Sequence, residues 1–470
     1  TNQVDALVED ANGNPITGAA VVFSSANGAT ILSSTMNTGV NGVASTLLTH
    51  TVAGTSNVVA TVDTVNANID TAFVPGAVAT ITLTTPVNGA VADGANSNSV
   101  QAVVSDSEGN AVAGAAVVFS SANATAQITT VIGTTGADGI ATATLTNTVA
   151  GTSNVVATID TVNANIDTAF VAGAVATITL TAPVNGAGAG GVNTNSVQAG
   201  VSDSGGNPVT GATVVFSSTH ATAQITTVIG TTGADGIATA TLTNTVAGTS
   251  NVVATVDTVT NNIDTVFVAG AVATITLTTP VNGAVADGTD SNHVQAVVSD
   301  SDGNPVTGAA VVFSSANATA QITTVIGTTG ADGIATATLT NTVAGTSNVV
   351  ATVDTVNANI DTAFVAGAVA TITLTTPVNG AVADGANSNS VQAVVSDSDG
   401  NPVTGAAVVF SSANATAQIT TVIGTTGADG IATATLTNTV AGTSNVVATI
   451  DTVNANIDTA FVAGAVATIT

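Results

Sequence analysis

Apolar residues alternate with threonine, serine and asparagine along most of the chain. In Ala79–Thr85, read as ATITLTT, Ile81 and Leu83 are separated by Thr80, Thr82 and Thr84. A period of two belongs to a strand with one buried face. The same alternation sets Val100, Ala102 and Val104 against Ser99, Gln101 and Ser105, and turns Val117 and Phe119 inward. It places Ile128, Thr130 and Ile132 on one face, and Ala141, Ala143 and Leu145 opposite Thr142, Thr144 and Thr146. Val155, Ala157 and Ile159, then Ile166 and Phe170, complete the set. Between these runs lie SEGN, TGADG, TVAGT and VNAN, all rich in turn-forming residues. No stretch has helical periodicity, and Thr, Val and Ile favour strands.

The run VVFSSAN at Val21 returns in nearly the same letters at Val117, Val214, Val311 and Val408, so the spacings are 96, 97, 97 and 97 residues. A period this long suits a whole small domain repeated in tandem. Seven short strands per repeat, with turns every 8–12 residues, predict an immunoglobulin-like sandwich. The fold class expected is therefore all-β, a tandem array of immunoglobulin-like β-sandwich domains. The expected units are 1–76, which lacks its first strand, then 77–173, 174–270, 271–367 and 368–464, with 465–470 opening another first strand. The ten phenylalanines fall two to a unit (23/73, 119/170, 216/267, 313/364 and 410/461) and are expected to anchor the cores. The first unit is the most divergent, as terminal units of arrays often are. It lacks the 20 residues equivalent to Ala271–Asp290, while the tail AVATIT at Ala465–Thr470 repeats the opening of that same strand. Two explanations stand open. Either the tail of another copy fills the groove of the first unit by strand donation, giving a head-to-tail filament, or the chain is a window cut from a longer continuous array.

Composition narrows the function. Hydrophobic residues make up 45% of the chain, enough for each unit to bury a core. There are 28 acidic residues and no Lys or Arg. A chain of this sign repels phosphate and anionic membrane surfaces, which excludes nucleic acid as a partner. Its apolar runs are too short for a membrane-spanning helix. No basic segment followed by an apolar run opens the chain, which starts inside a repeat. Without cysteine there are no disulfides or thiolate metal sites. Without lysine there are no Lys–Asn cross-links and nothing for a trypsin-like protease to cut. This profile suits a salty, protease-exposed extracellular setting better than a halophile's cytoplasm.

Two stretches carry a resemblance. VSDSDGNPVTGAAVVF (Val298–Phe313) followed by TTGADGIATATLTNTVAGTSNVVAT (Thr328–Thr352) resembles the bacterial Ig-like domain of group 1, the intimin/invasin type. The likeness covers all five units. It departs in two places: Ala111 stands where proline is usual, and the lysines normal in such stalks are missing. The resemblance implies extracellular, rod-like stalks of surface adhesins in Gram-negative bacteria, with no catalytic residues to carry over.

Candidate chemistry is sparse. His50, His220 and His293 lie in different units and do not recur at equivalent positions, which argues against a catalytic or zinc role. With Cys, Lys, Arg, Tyr and Trp absent, most nucleophiles and oxyanion clamps are missing, and no enzyme is expected. The turn repeated as DANGN, DSEGN, DSGGN, DSDGN and DSDGN (Asp10, Asp106, Asp203, Asp300 and Asp397 leading) resembles the start of a calcium loop. Its third position accepts even Gly, which favours a plain hairpin turn. A second calcium candidate is a domain junction where Asp93, Asp287 and Asp384 of the VADG stretches would meet Asp167, Asp264 and Asp361 of the NID stretches. The sequons at Asn123, Asn317 and Asn414 read as ordinary turns. Binding hot spots favour Trp, Tyr and Arg, all absent here. The expectation is a non-catalytic extracellular stalk or filament whose partners are copies of itself or adjacent repeats. The competing class is a binding module for a receptor, glycan or ice, for which Thr142 and Thr144 offer a period-two array.

Overall fold

In the computed structural model, which describes residues 1–468, the alternating runs become strands, because β-branched side chains pack well on a pleated, half-buried surface. The second unit serves for the others. Its strands are β1 (Thr80–Val87), β2 (Ala90–Val91), β3 (Ser97–Ser105), β4 (Val118–Ser121), β5 (Gln127–Ile132), β6 (Ile140–Thr146), β7 (Gly151–Ile159) and β8 (Val162–Val171). One sheet has the order β5-β6-β3-β1 and the other β4-β7-β8-β2. All pairings are antiparallel except that of β2 with the end of β8. The next three units repeat this arrangement.

Between the sheets lies a core of small residues. Val100, Ala102, Val104, Ala141, Ala143, Leu145, Val155 and Ala157 are all almost wholly buried. Phe119 on β4 and Phe170 on β8 supply the bulk, as their alternation predicts. In the first unit Phe23 is buried, whereas Phe73 is partly covered and packs edge-on against His50 at 5.5 Å.

Three local features depart from the expected pattern. The first is a bulge: the register of β5 against β6 shifts between Ile128 and Thr130. An extra residue reverses the alternation beyond it, so Ile132 pairs with Thr142 and stands 63% exposed instead of facing the core. Second, VNAN lies inside β8, and the chain reverses one step earlier at Asp160–Thr161, with Asp160 at φ 50°. Aspartate tolerates this left-handed geometry better than most residues. Third, β2 is an added strand. Buried Asn98 holds it by accepting from the Ala90 amide (2.9 Å) and donating to the Ala169 carbonyl (2.8 Å).

The first unit differs more. Its Thr35–Asn37 strand pairs with Ala20–Ser25, a contact reduced in the second unit to a single bridge between Ala116 and Thr134. It carries no counterpart of β1. Its counterpart of β3, Asn2–Leu7, pairs on one side only, and a groove of about 620 Å³ runs between the sheets, lined by Val4, Ala6, Val8, Val58, Ala60 and Ile69. At the other end of the chain, Ala465–Thr468 form no strand, and Ile469 and Thr470 of the tail lie outside the described residues.

This core makes a paired prediction in the full chain. Phe313→Ala, at a site only 8% exposed, should cost its unit about 3–5 kcal/mol. Ile326→Ala, in the same unit but 62% exposed beyond the bulge, should change stability by less than about 0.5 kcal/mol. Calorimetry checks both: only the phenylalanine change should move one unit's share of the unfolding enthalpy to lower temperature. Similar costs for the two would show that the bulge assignment is wrong.

Candidate functional site: the joints between units

The repeated Asp-x-x-Gly-Asn turn closes on itself through its leading carboxylate. In the third unit, Asp203 Oδ1 accepts from the amides of Gly205 (2.9 Å) and Asn207 (2.8 Å). The fourth residue, Gly206, sits at φ 82°, a region open to glycine and strained for other residues. To the closing of the turn the third residue contributes only its N–H. That freedom explains why Asn12, Glu108, Gly205, Asp302 and Asp399 are interchangeable there.

The other half of the turn reaches out of its own unit. Asp203 Oδ2 accepts from the amide of Gly173, in the linker that precedes the unit (2.8 Å). Asn207 Oδ1 accepts from the amide of Ala150 in the unit before (2.8 Å), and its Nδ2 donates to the carbonyl of Thr148 (3.1 Å). The same contacts recur at each joint. Asn110, Asn304 and Asn401 accept from Ala53, Ala247 and Ala344, each at 2.8 Å. Gly76, Gly270 and Gly367 donate to Asp106, Asp300 and Asp397 at 2.8, 2.8 and 2.9 Å. In the last three joints the Asn Nδ2 also meets a carbonyl of the VADG-type loop, that of Ala92, Ala189 or Ala286, at 3.4, 3.2 and 3.2 Å. Each turn thus clasps the preceding unit while tethering its own linker.

Asp106, Asp203, Asp300 and Asp397 are 2–5% exposed, and the chain has no Lys or Arg to balance them. N–H groups do so instead, and hydrogen bonds to the ionised form favour it. At Asp106 the Asn110 side chain, then the Gly76 amide, lowers the carboxyl to about 2. At Asp203, Asp300 and Asp397 burial pushes the carboxyl up, but the linker amide, the turn amides and the Asn side chain together hold it below the ordinary value. In the first unit Asp10 makes the same turn with Asn12 and Asn14, and both Asp10 and Asn14 are exposed.

The calcium candidates at the junctions are engaged separately. Asp93 accepts from the amides of Ala95 and Asn96, Asp287 from those of Thr289 and Asp290, and Asp384 from those of Ala386 and Asn387. Asp167, Asp264 and Asp361 lie on the β7–β8 hairpin and its equivalents, each accepting from an Asn side chain of the neighbouring strand (Asn154, Asn251, Asn348) at 2.7 Å. No hydrogen bond links the two sets. Among the described residues no three His, Asp or Glu side chains converge. His220 bonds Thr222 within its own turn at 3.0 Å, and His293 pairs opposite Val281 on a strand.

The clasping asparagine is the joint residue that the sequence pattern alone does not single out. Its signal was present: across the five turns the first and fifth residues are always Asp and Asn, while the second and third vary. The same Asn side chain also donates to its own turn's carboxylate, as Asn14 does to Asp10 at 2.9 Å, so its constancy serves the turn as well as the joint.

The profile of the bacterial Ig-like domain (group 1) matches residues 1–74, 80–171, 177–268, 274–365 and 371–462. Solved structures similar to the chain include invasin, a bacterial integrin-binding protein, at 22% identity and a TM-score of 0.45, covering 82% of this chain and 79% of that one. The Escherichia coli adhesin FdeC aligns at 23% identity and a TM-score of 0.47, covering 62% of this chain and 100% of its own. InvD of Yersinia pseudotuberculosis aligns at 21% and 0.44, covering 61% and 97%. No curated protein matches the chain.

Two predictions follow from the joint. Asn304→Ala removes the contacts to Ala247, Thr245 and Ala189 and strands a peptide amide, so it should weaken coupling of the third and fourth units by about 1–3 kcal/mol. Denaturant unfolding should then resolve the two units. Coupling equal to the parent's would show that the clasp carries no energy. The carboxylates also predict a pH dependence. Their folded values lie below the ordinary one, so their contribution is complete above roughly pH 4 and lost as pH falls, through about 2 at Asp106. Asp106→Asn should flatten the acid loss at that joint, and an unchanged melting profile between pH 4 and 2 would rule this out.

Proposed function

Because the chain belongs to the bacterial Ig-like domain (group 1) family through all five of its units, we propose that it is a non-catalytic extracellular stalk of the bacterial adhesin type, holding a tip or neighbouring subunit away from a cell surface. Its partners in this reading are the adjacent repeats themselves. The observation that supports it is the joint. Four successive turns spend a buried Asp and an Asn on the unit before, in the same geometry each time. Contacts repeated in one sense fix the direction of each unit relative to the last, which is what a spacer requires. The uniform negative sign of the surface discourages neighbouring stalks from pairing side by side.

The rival reading, with the threonine face as a binding platform for ice or glycan, has the geometry of those hydroxyls against it. Thr129 and Thr144 are 3.1 Å apart and bonded to each other, and Thr226–Thr241, Thr323–Thr338 and Thr420–Thr435 repeat the pair at 3.0, 2.9 and 3.1 Å. The bulge in the edge strand also interrupts the flat register such a face would need.

Small-angle scattering tests the stalk. Deleting one complete internal unit should shorten the maximum dimension by one unit length, on the order of 40 Å from strands of eight to ten residues plus their loops. The parent chain should also give no thermal hysteresis and no glycan-array signal. A compact particle whose dimension does not follow unit number would overturn the stalk. A positive binding signal would favour the rival. A calcium role for the junction aspartates is a separate proposal: CaCl₂ should then raise the melting temperature above NaCl matched for ionic strength, and the excess should vanish in Asp93→Ala.

A further inference from the structure

We infer that one residue pair facing across each of the last three joints sets how firmly a unit holds the next, and that the joint between the fourth and fifth units is the salt-responsive one. The pair consists of the third residue of the turn and the third residue of the VADG-type loop in the unit before. Their proximity is visible at the third-to-fourth joint, where a Cβ on Gly190 would lie 3.8 Å from Asp302 Oδ2. The neighbouring carbonyl of that loop is the one the clasping Asn reaches, at Ala92, Ala189 and Ala286 alike. Equivalent hydrogen bonds therefore bring the equivalent pair together at each of these three joints.

The pairs differ in charge. The second-to-third joint sets Asp93 against Gly205, and the third-to-fourth sets Gly190 against Asp302. The third unit thus carries glycine at both of its equivalent positions, Gly205 and Gly190, each with an aspartate at the matching position across the joint. The fourth-to-fifth joint sets Asp287 against Asp399, carboxylate to carboxylate. Around them stand two more acidic groups. Asp290 lies on the same loop as Asp287, and Asp397 leads the turn with its oxygens already occupied by N–H donors. The chain has no Lys or Arg to intervene. Asp287 and Asp399 are both exposed, so dissolved ions reach them and govern their repulsion. Low salt should loosen this joint and leave the other two unchanged. The inference rests on the joint geometry and stands whether or not the protein is a stalk.

The absence of cysteine allows a direct test in the full chain, since two introduced cysteines take spin labels without competition. Thr355→Cys with Thr452→Cys reports on the fourth-to-fifth joint, and Thr258→Cys with Thr355→Cys on the third-to-fourth; all three positions are exposed turn residues. At 10 mM salt, where the screening length is about 30 Å, the distance distribution should be about twofold broader at the fourth-to-fifth joint, and at 1 M, where it is about 3 Å, the two should agree. Asp399→Gly should abolish the salt dependence, and Gly190→Asp should confer it on the third-to-fourth joint. Equal widths at low salt, or a salt response that survives Asp399→Gly, would overturn the inference.

Discussion

A carboxylate in a chain without lysine or arginine has only N–H groups, hydroxyls, water and dissolved ions to balance it. Most of the aspartates meet that constraint by staying at the surface. Asp106, Asp203, Asp300 and Asp397 do not: they are buried, and each gathers amides from its own turn, an amide from the linker and the side chain of the asparagine four residues on. The linker can supply its amide only if it runs past the turn, and the asparagine can be held in place only if the turn is closed. Compensating one buried charge therefore fixes the turn, the linker and the approach of the preceding unit together. Removing all basic residues from the chain makes this arrangement necessary, because an isolated buried carboxylate would otherwise take up a proton.

The interior of each unit is correspondingly plain. Alanine and valine fill most of the space between the sheets, two phenylalanines supply the volume, and a few buried polar side chains fasten what the sheets alone would leave loose. Asn98 is the clearest case, since its amide ties the two-residue β2 to the strand beside it. A short parallel strand has too few ladder bonds to hold itself, so the side-chain contacts decide whether it forms. Stability is thus divided between small, repetitive apolar packing within units and polar, directional contacts at their edges and ends.

That division suits the spacer role we propose. Apolar packing tolerates near-identical cores copied along the chain, because each core contacts only itself. The directional contacts between units do not average out along the array. Each one is made by the same atoms in the same sense, so four joints with equal geometry give one consistent relation between neighbours. Variation is confined to positions the joint does not use for hydrogen bonding, such as the third residue of the turn, so the hydrogen bonds stay the same from joint to joint while the charge beside them changes.

The sequence by itself determined the strands, the fivefold repeat and the inward phenylalanines, because period-two alternation and turn residues act within a few positions of one another. Where the structure decided otherwise, the cause lay at a distance. Ile132 faces solvent because pairing with β6 accommodates an extra residue, and nothing in QITTVI alone marks where the bulge falls. The parallel β2 depends on Asn98 and on the end of β8, some 70 residues further along. The joint depends on Asn207 meeting Ala150 across 57 residues, in the unit before. Local pattern specifies which face of a strand is buried. Only the assembled sandwich brings a turn of one unit against a loop of another, and that contact is what turns an aspartate and an asparagine into a joint.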